Sequence, residues 1–430
     1  METLHRSRLR AAIFLWTGLL ALVFSGRMYT TDALAQYEVA GSFTGQRSFM
    51  TVSGDYGWAV QGTRPGLFIP HGSGFSILLI PAAVAGKILG LNAGKLVMAL
   101  LNAGFSLALI GFWYASAVKK YSEVPVVRFI TIAICGMVLV YGKMTFDVTA
   151  ATAAAMAGFY FSLHGRMFAA GLCLGLAILV RVDSLILLPL FWTDWRNMKK
   201  LLMGLVPFIL LILFLNWYRF GNPFLDGHGQ DPAITVELFK GGIPGLLLSP
   251  GKGLLYYAPL CIFAFFFQKD WRLWTPFVLS LFFHGMLHDW SGGTGWGPRF
   301  LFTTLPFLLL PLSFKGTGGK LFWIIAILGI IVCIPAFWSN PSLLEQAAGA
   351  DLFIEPSRQA VLWTWSSSPL ISAFRSFATG VPDLFCATAA AFAGISIWIG
   401  ILAQVSAAAV LAAAGILVLK KSRSSGNSTS

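Results

Sequence analysis

The sequence predicts an all-α, polytopic integral membrane protein with about twelve transmembrane helices. Of its 430 residues, 57% are hydrophobic and only 11% are charged, and the mean hydropathy is +0.76. Soluble domains carry about 25% charged residues. Apolar runs recur from Ala11 to Leu419, and many approach the length of about 20 residues with which a helix crosses a bilayer. The composition therefore excludes a soluble domain.

The predicted crossings are apolar runs that charges, glycines or prolines separate. They cover residues 11–26, 93–117, 128–142, 148–163, 167–180, 184–192, 201–218, 254–267, 273–287, 300–313, 321–337 and 394–419. The runs 167–180 and 184–192 are short enough to be two halves of one broken helix. We predict a single transmembrane domain over residues 1–419, with a first outer loop at 27–92 that carries interfacial helices. The polar segment 420–430 is predicted to be a short cytoplasmic tail that does not fold.

The first apolar run has features of a secretory signal. Three arginines precede it, and Ala33-Leu34-Ala35 resembles a cleavage site. The stretch between Phe24 and Gln36 is, however, long for a cleavage region. We therefore predict that the run remains in the protein as its first transmembrane helix.

The positions of lysine and arginine predict the topology, because these residues concentrate in cytoplasmic loops. If the segment 73–90 does not cross, then the N-terminus, the loop Lys119–Arg128 and the C-terminal tail all face the cytoplasm together with most basic residues. If the segment does cross, most basic loops face outward. The segment 73–90, which Pro81 interrupts, is therefore predicted to lie in the interface or to re-enter the membrane.

The predicted outer side holds most of the acids, and we expect the chemistry there. Its long stretches are 27–92, 219–253, 288–299 and 338–385. The alternative is that these loops are simply solvated. The net charge of +13 and the pI of about 9.7 are explained by basic loops that face anionic lipid. No nucleic-acid partner is predicted.

No residue pattern predicts a cofactor. The five cysteines are scattered singly, without the spacing of a metal site, and are predicted to be small buried apolar residues. His284 and His288 are spaced i, i+4 and Asp289 follows, which is a spacing that can ligate a metal. The stretch lacks the Glu of a HExxH motif, so the sequence allows a divalent metal without supporting one. Substrate hydrogen bonding and a plain interfacial position are the alternatives.

Two segments resemble motifs of one superfamily of membrane enzymes. Residues 247–259 read LLSPGKGLLYYAP, similar to SPGRGLL-x-x-x-P, and residues 290–300 read WSGGTGWGPRF, similar to W-x-GG-x-x-x-GPRY. An acid, Asp32, follows the first helix. These features resemble the GT-C glycosyltransferases, which use polyprenyl-phosphate sugars and include protein O-mannosyltransferases and the bacterial aminoarabinose transferase of lipid A. With the topology, the resemblance covers most of residues 1–315.

The chain departs from the pattern of that superfamily in two places. Many members carry two adjacent acids where this sequence has Asp32 alone, and a basic residue followed by Pro-Pro where it has Pro70-His71-Gly72. The resemblance implies an inverting transfer of a sugar from a polyprenyl-phosphate donor to an acceptor, without a bound organic cofactor. It places the site on the outer, periplasmic face of the cell inner membrane. The implied partners are membrane lipid and the donor.

Transfer of a sugar from a lipid phosphate needs a base for the acceptor hydroxyl and cations for the departing phosphate. Asp32 is the predicted base. The alternative is a helix cap, because Thr30, Thr31 and Asp32 suit a helix start. The resemblance places a second functional acid at Asp147. The alternative there is again a cap, before the alanine-rich run that follows.

Four cations are predicted to bind the phosphate, namely Arg64, His71, Lys252 and Arg299. Lys252 lies between two glycines, which let the backbone approach a ligand closely. Arg299 opens an apolar helix, where a cation needs an anionic partner. The alternative to a phosphate partner is a structural ion pair with Asp289.

Three further residues interrupt apolar or glycine-rich segments. Trp290 lies in a glycine-rich outer loop and is predicted to stack on a sugar. Arg181 and Asp183 interrupt an apolar run, where charges are functional candidates. Two residues apart, they would point to different sides of a helix, so no mutual ion pair is predicted. The alternative is that they mark an outer turn.

Three other functions compete with glycosyl transfer. The first is a transporter or flippase of lipid-linked or small polar substrates, which often shows repeated halves with matching broken helices. No such repeat is visible, and the large first loop makes the layout asymmetric. The second is a polymerase or ligase for lipid-linked glycans, and the third is a non-catalytic scaffold.

Overall fold

The computed structural model describes residues 2–54, 56, 58–121, 123–227, 236–340, 357–380 and 382–427. Two predicted outer stretches are therefore described in part, because residues 228–235 and 341–356 lie outside this set. The α-helices of the described chain run over Glu2–Val23, Thr31–Ser42, Ser73–Leu78, Ile80–Leu89, Leu91–Lys120, Val126–Cys135, Val138–Lys143, Asp147–Leu163, Met167–Val180, Trp195–Phe220, Val236–Leu248, Leu254–Tyr257, Pro259–Phe265, Trp271–Gly285, Leu305–Leu308, Gly319–Trp338, Ser357–Trp363, Pro369–Thr379, Phe385–Phe392 and Ile397–Asn427.

The remaining regular structure is short. The 3₁₀ helices are Val182–Phe191, Arg299–Thr304, Leu310–Ser313 and Trp365–Ser367. The first loop holds a small antiparallel sheet whose central strand is the third in sequence, and its strands are β1 (Thr51–Val52), β2 (Val60–Gln61) and β3 (Leu67–Phe68). The predicted fold class, a polytopic helical membrane protein, is confirmed.

Four helices in the described chain are long and apolar enough to cross a membrane by themselves. They are Leu91–Lys120, Trp195–Phe220, Gly319–Trp338 and Ile397–Lys421. Several other predicted crossings are broken. The run 128–142 breaks at Met137, whose φ of 63° is left-handed. The run 300–313 consists of short 3₁₀ and α pieces around Pro306 and Pro311.

Segment 73–90, within the first loop, forms two short helices that pack on the preceding part of that loop. The break falls at Leu79, and the chain then turns at Gly90 into the long helix Leu91–Lys120. The Lys87 ammonium donates to the carbonyl of Thr44 at 2.7 Å. The segment therefore lies beside the loop that precedes it.

The predicted cytoplasmic loops gather at one end of the molecule. The Lys120 ammonium lies 2.8 Å from the Asp270 carboxylate, and the Lys315 amide donates to the Glu123 carbonyl at 3.1 Å. Further back in the same long helix, Asn102 donates to the carbonyl of Met144 at 2.8 Å. The helix between Asn102 and Lys120 spans about 27 Å at 1.5 Å per residue, close to the thickness of a hydrocarbon core.

The first and last helices pack closely along their length. A Cβ at Gly18 would lie 3.0 Å from the carbonyl of Ala408, so the two backbones are nearly in contact. The buried amide of Gln404 donates to the carbonyl of Phe24 at 2.8 Å and so caps the end of the first helix. The last helix continues to Asn427, so the described part of segment 420–430 is helical where an unfolded tail was predicted.

Candidate active site

Asp32 lies in the first turn of the helix Thr31–Ser42. The cap of this helix is Thr30, whose hydroxyl accepts from the Ala33 amide at 3.1 Å. The Asp32 carboxylate instead binds a guanidinium from far along the chain, with 2.8 Å between Oδ2 and Nη1 of Arg299. Capping therefore does not occupy the Asp32 side chain.

Arg299 begins a 3₁₀ helix at the end of the glycine-rich loop. Its guanidinium lies over the Phe146 ring, 4.6 Å from the centroid, and its side chain is 11% exposed. The structure does not contain the alternative considered for Arg299, a structural pair with Asp289. Asp289 accepts from the Ser291 hydroxyl and lies 3.5 Å from Arg358. The anionic partner of Arg299 comes from the first loop because the fold brings that loop over the end of the helices.

His71 also lies near Asp32. Its Nε2 lies 3.9 Å from the same Oδ2 atom, and its ring stacks on Trp58 with centroids 4.7 Å apart. Burial raises the pKa of the Asp32 carboxyl, but the charge of Arg299 and the nearby His71 outweigh burial and hold that pKa well below its ordinary value. Asp32 is therefore an anion at neutral pH, and its basicity is suppressed while Arg299 is bound.

Asp147 begins the helix Asp147–Leu163 and binds a second guanidinium. Its Oδ1 lies 2.9 Å from Nη1 of Arg181, and Arg181 also makes two bonds of 3.1 and 2.8 Å to Asp183. The prediction that Arg181 and Asp183 would not pair is wrong. The helix ends at Val180, and Arg181 is extended with φ −143° and ψ 114°, so helical spacing does not apply to the two side chains.

His284 completes this second network. Its Nε2 lies 3.2 Å from Oδ2 of Asp183, and its Nδ1 lies 2.9 Å from the Ser280 carbonyl. The order Ser280, His284, Asp183 looks like a hydrolytic triad, but the Ser280 hydroxyl is buried and also donates to the Phe300 carbonyl. Both ring nitrogens of His284 are engaged, and no group of His, Cys, Asp and Glu suited to a metal occurs among the described residues.

The two predicted acids line one small cavity. Its walls are Asp32, Ala33, Gln36, His71, Phe75, Phe146 and Asp147. The acids come from separate helices, and each is held by its own guanidinium at the wall. The cavity therefore brings together two carboxylates, each paired with an arginine, and a partly apolar wall that includes Phe75 and Phe146.

Three predicted binding residues lie elsewhere. Arg64 is exposed, with its guanidinium over the Tyr218 ring. The Lys252 ammonium is fully buried and donates to the carbonyls of Gly293 and Gly295 at 2.8 and 2.7 Å, which fixes the loop that leads to Arg299. That these residues bind substrate stays a prediction.

Trp290 is the third residue outside the cavity. It is 6% exposed and packs against Trp363 with ring centroids 6.1 Å apart. A Cβ at Gly245 would lie 2.3 Å from its ring, so the indole fills the space beside that glycine. Little of the ring is open to a sugar, and stacking stays a prediction.

Sequence reasoning missed Gln36. Its amide is buried in the cavity wall and donates to the Gly72 carbonyl at 3.4 Å, while its carbonyl oxygen accepts from Ser76. The available signal was its position four residues after Asp32, which puts both side chains on one helix face. Phe146 was also missed, and no pattern in the sequence indicated that Arg299 would cover it.

No family model matches the chain, and no curated protein matches it. A comparison with solved structures finds a similar fold. The chain is similar to the solved structure of ArnT from Cupriavidus metallidurans in the apo state, with a TM-score of 0.50, 14% identity, and coverage of 94% of this chain and 74% of that chain. The same protein bound to undecaprenyl phosphate matches with a TM-score of 0.46, 14% identity, and coverage of 94% and 75%. The likeness to the apo structure confirms the predicted polytopic helical fold.

Proposed function

We propose that the chain is a glycosyltransferase that moves a sugar from a polyprenyl-phosphate donor to an acceptor. One observation carries the proposal. Two carboxylates from separate elements, Asp32 and Asp147, line a single cavity at one end of the membrane helices, and each is paired with an arginine. A phosphate donor needs cations, and an acceptor hydroxyl needs a base.

The donor phosphate competes with Asp32 for Arg299. A guanidinium binds phosphate in a bidentate manner, so the phosphate replaces the single 2.8 Å contact to Asp32. Without the cation beside it, the Asp32 carboxyl regains the basicity that the ion pair suppresses. Donor binding thereby switches on the base.

In the transfer step, Asp32 takes the proton of the acceptor hydroxyl. The acceptor oxygen forms a bond to the anomeric carbon, and the bond from that carbon to the phosphate oxygen breaks. The electron pair of that bond leaves with the polyprenyl phosphate, whose charge Arg299 stabilises. A single displacement inverts the anomeric centre. Asp147 is assigned to hydrogen bonding of sugar or acceptor hydroxyls, with Arg181 holding its orientation.

The setting of the reaction follows from the same proposal. The donor's lipid tail lies in the bilayer beside the cavity, and the site faces the periplasm from the inner membrane. The distribution of basic loops supports this orientation. Membrane lipid and the donor are the partners, and neither an organic cofactor nor nucleic acid takes part.

The test uses the purified chain and a polyprenyl-phosphate donor labelled in the sugar. Release of polyprenyl phosphate with transfer of the label to an acceptor or to water supports the proposal, and Asp32→Asn should abolish the release. In liposomes, movement of intact donor between leaflets would identify a flippase. Lengthening of a lipid-linked glycan would identify a polymerase. Absence of bond cleavage across a panel of sugars, with donor bound, contradicts the proposal.

A further inference from the structure

A second ionic cluster lies outside the cavity, around Asp383. This residue is 6% exposed and precedes the helix Phe385–Phe392. Its amide donates to the Trp338 carbonyl at 2.7 Å, which ties it to the end of the helix Gly319–Trp338. The carboxylate is therefore held by the C-terminal part of the chain.

Three side chains from the N-terminal part converge on this carboxylate. The Tyr29 hydroxyl donates to Oδ2 at 2.6 Å, the Lys143 ammonium lies 3.3 Å from Oδ2, and Nε of Arg27 lies 3.5 Å from Oδ1. Lys143 is also buried and donates to the carbonyls of Phe337 and Ser339 at 2.9 and 3.0 Å. The cluster joins two N-terminal segments to one C-terminal anchor.

Each of those segments leads directly to a cavity acid. Tyr29 lies three residues before Asp32, and Lys143 lies four residues before Asp147. The connections are non-helical, because the first helix ends at Val23 and residue 144 is extended. Asn102 also holds the second connection through the Met144 carbonyl, but the Asp383 carboxylate is the group that joins the starts of both connections.

The energetics of buried charges indicate that the cluster around Asp383 positions its neighbours more than it stabilises the fold. Burying charges costs desolvation, and a hydrophobic replacement of such a pair is often as stable or more stable. The Asp383 carboxylate accepts from the Tyr29 phenol and faces the cations of Arg27 and Lys143, so it fixes the positions of both N-terminal segments at once. An apolar contact would not fix them in this way.

We propose that Asp383 is a positioning residue that sets the placement of Asp32 and Asp147 in the cavity. The expected loss of kcat rests on the proposed function. The expected loosening of the segments that carry Asp32 and Asp147 does not. Asp383 touches neither cavity acid through any described contact and acts through Tyr29 and Lys143.

The experiment compares Asp383→Asn with Asp270→Asn in the purified full chain. Asp270 is a matched control, because its carboxylate also binds two cations but lies at the opposite end of the helices. Amide hydrogen exchange should become faster at residues 31–37 and 147–151 in Asp383→Asn alone. A misplacement of about 1 Å costs roughly 100-fold in rate, so kcat should fall by about 10- to 100-fold with the KM for donor unchanged.

Two further variants keep the test decisive. Tyr29→Phe removes one hydroxyl and should loosen only 31–37, and Asp383→Glu should restore part of kcat. If Asp383→Asn does not fold, Tyr29→Phe decides the outcome. Unchanged exchange at the segments, or faster exchange with unchanged kcat, overturns the inference. If the unmodified chain transfers no sugar, the proposed function fails, while the exchange comparison still decides whether Asp383 holds the segments.

Discussion

At the scale of single residues, the ion pair between Asp32 and Arg299 dominates the site. The two residues are 267 positions apart and meet at 2.8 Å. In this state each charge satisfies the other, so an arginine needed for phosphate and a carboxylate needed as a base are both held inactive. An anionic donor releases both, because phosphate competes for the guanidinium.

Replacing Arg299 should change the response of the protein to acid. Arg299 lowers the folded-state pKa of Asp32, so the pair stabilises the fold above the unfolded value of about 3.9 and loses this contribution as pH falls through the lower folded value. In Arg299→Gln only burial and His71 remain, and the pKa of Asp32 rises. The pH below which activity declines should therefore be higher in Arg299→Gln than in the unmodified protein. The pH below which the melting temperature declines should rise as well.

The control for this shift is Arg272→Gln. Arg272 contacts Asp270 at the other end of the helices, 3.1 Å from Nε to Oδ1, so its loss removes a similar contact away from the cavity. Its activity profile should keep the unmodified shape. If the activity of Arg299→Gln declines at the same acidic pH as that of the unmodified protein, then Arg299 does not govern the protonation of Asp32.

The sequence identified Asp32, Asp147 and Arg299 one by one but not their partners. Asp289, which is near in sequence, was the only protein partner considered for Arg299, whereas the actual contact is to Asp32, 267 positions away. Lys252 illustrates the same limit. Its glycine neighbours suggested a ligand, but whether an ammonium meets a phosphate or loop carbonyls depends on packing that local spacing does not encode.

At the scale of elements, the close contact of residues 72–74 with the end of the helix Met167–Val180 positions His71. A Cβ at Gly74 would lie 2.6 Å from the Val180 amide nitrogen, and a Cβ at Gly72 would lie 2.2 Å from the Val180 carbonyl oxygen. Backbone atoms do not yield as a flexible side chain does. The two glycines therefore let the segment approach closely enough for His71 to reach Asp32.

Gly74→Ala should destabilise the protein by about 1–3 kcal/mol, as overpacking does, and should slow transfer by displacing His71. Gly104→Ala is the matched control, because a Cβ at Gly104 meets nothing within 4 Å and alanine favours a helix. Melting temperatures and transfer rates of the two variants provide the measurement. Equal behaviour of the two would mean that the contact with Val180 is not needed.

Element type was predictable from hydrophobic runs, but only some of the breaks were, such as the one between 167–180 and 184–192. A run of apolar residues predicts a buried helix whether or not it is straight, so 128–142 gave no sign of the left-handed turn at Met137. The extended conformation of Arg181 likewise reversed the prediction about its pairing with Asp183. Such breaks depend on tertiary contacts. The break at Arg181 lets its guanidinium bind both Asp147 and Asp183.

At the scale of the whole molecule, the charged loops separate into two ends. The contact of Lys120 with Asp270 marks one end, and the cavity around Asp32 marks the other. Charge bias in the sequence anticipated this grouping because it acts on every loop at once. Which end faces the cytoplasm stays a prediction.

Labelling of introduced cysteines tests that orientation. In a background without Cys173 and Cys386, the two cysteines that are not fully buried, a membrane-impermeant maleimide on intact cells should modify Arg64→Cys and spare Lys119→Cys. Both positions are exposed. Permeabilisation should expose the second site. Labelling of Lys119→Cys from outside would show that the orientation is opposite to the predicted one, with the cavity at the cytoplasmic face of the membrane.

Transfer by Asp32→Asn shows whether Asp32 is the base whose basicity the donor releases. Asparagine keeps the size of the side chain and removes the charge, which leaves Arg299 free for phosphate. We expect single-turnover transfer to slow by about 10²–10⁴-fold. Donor affinity should be retained or increased, and Asp270→Asn, which alters an acid at another helix start, should transfer normally. Near-normal transfer by Asp32→Asn would show that Asp32 is not the base.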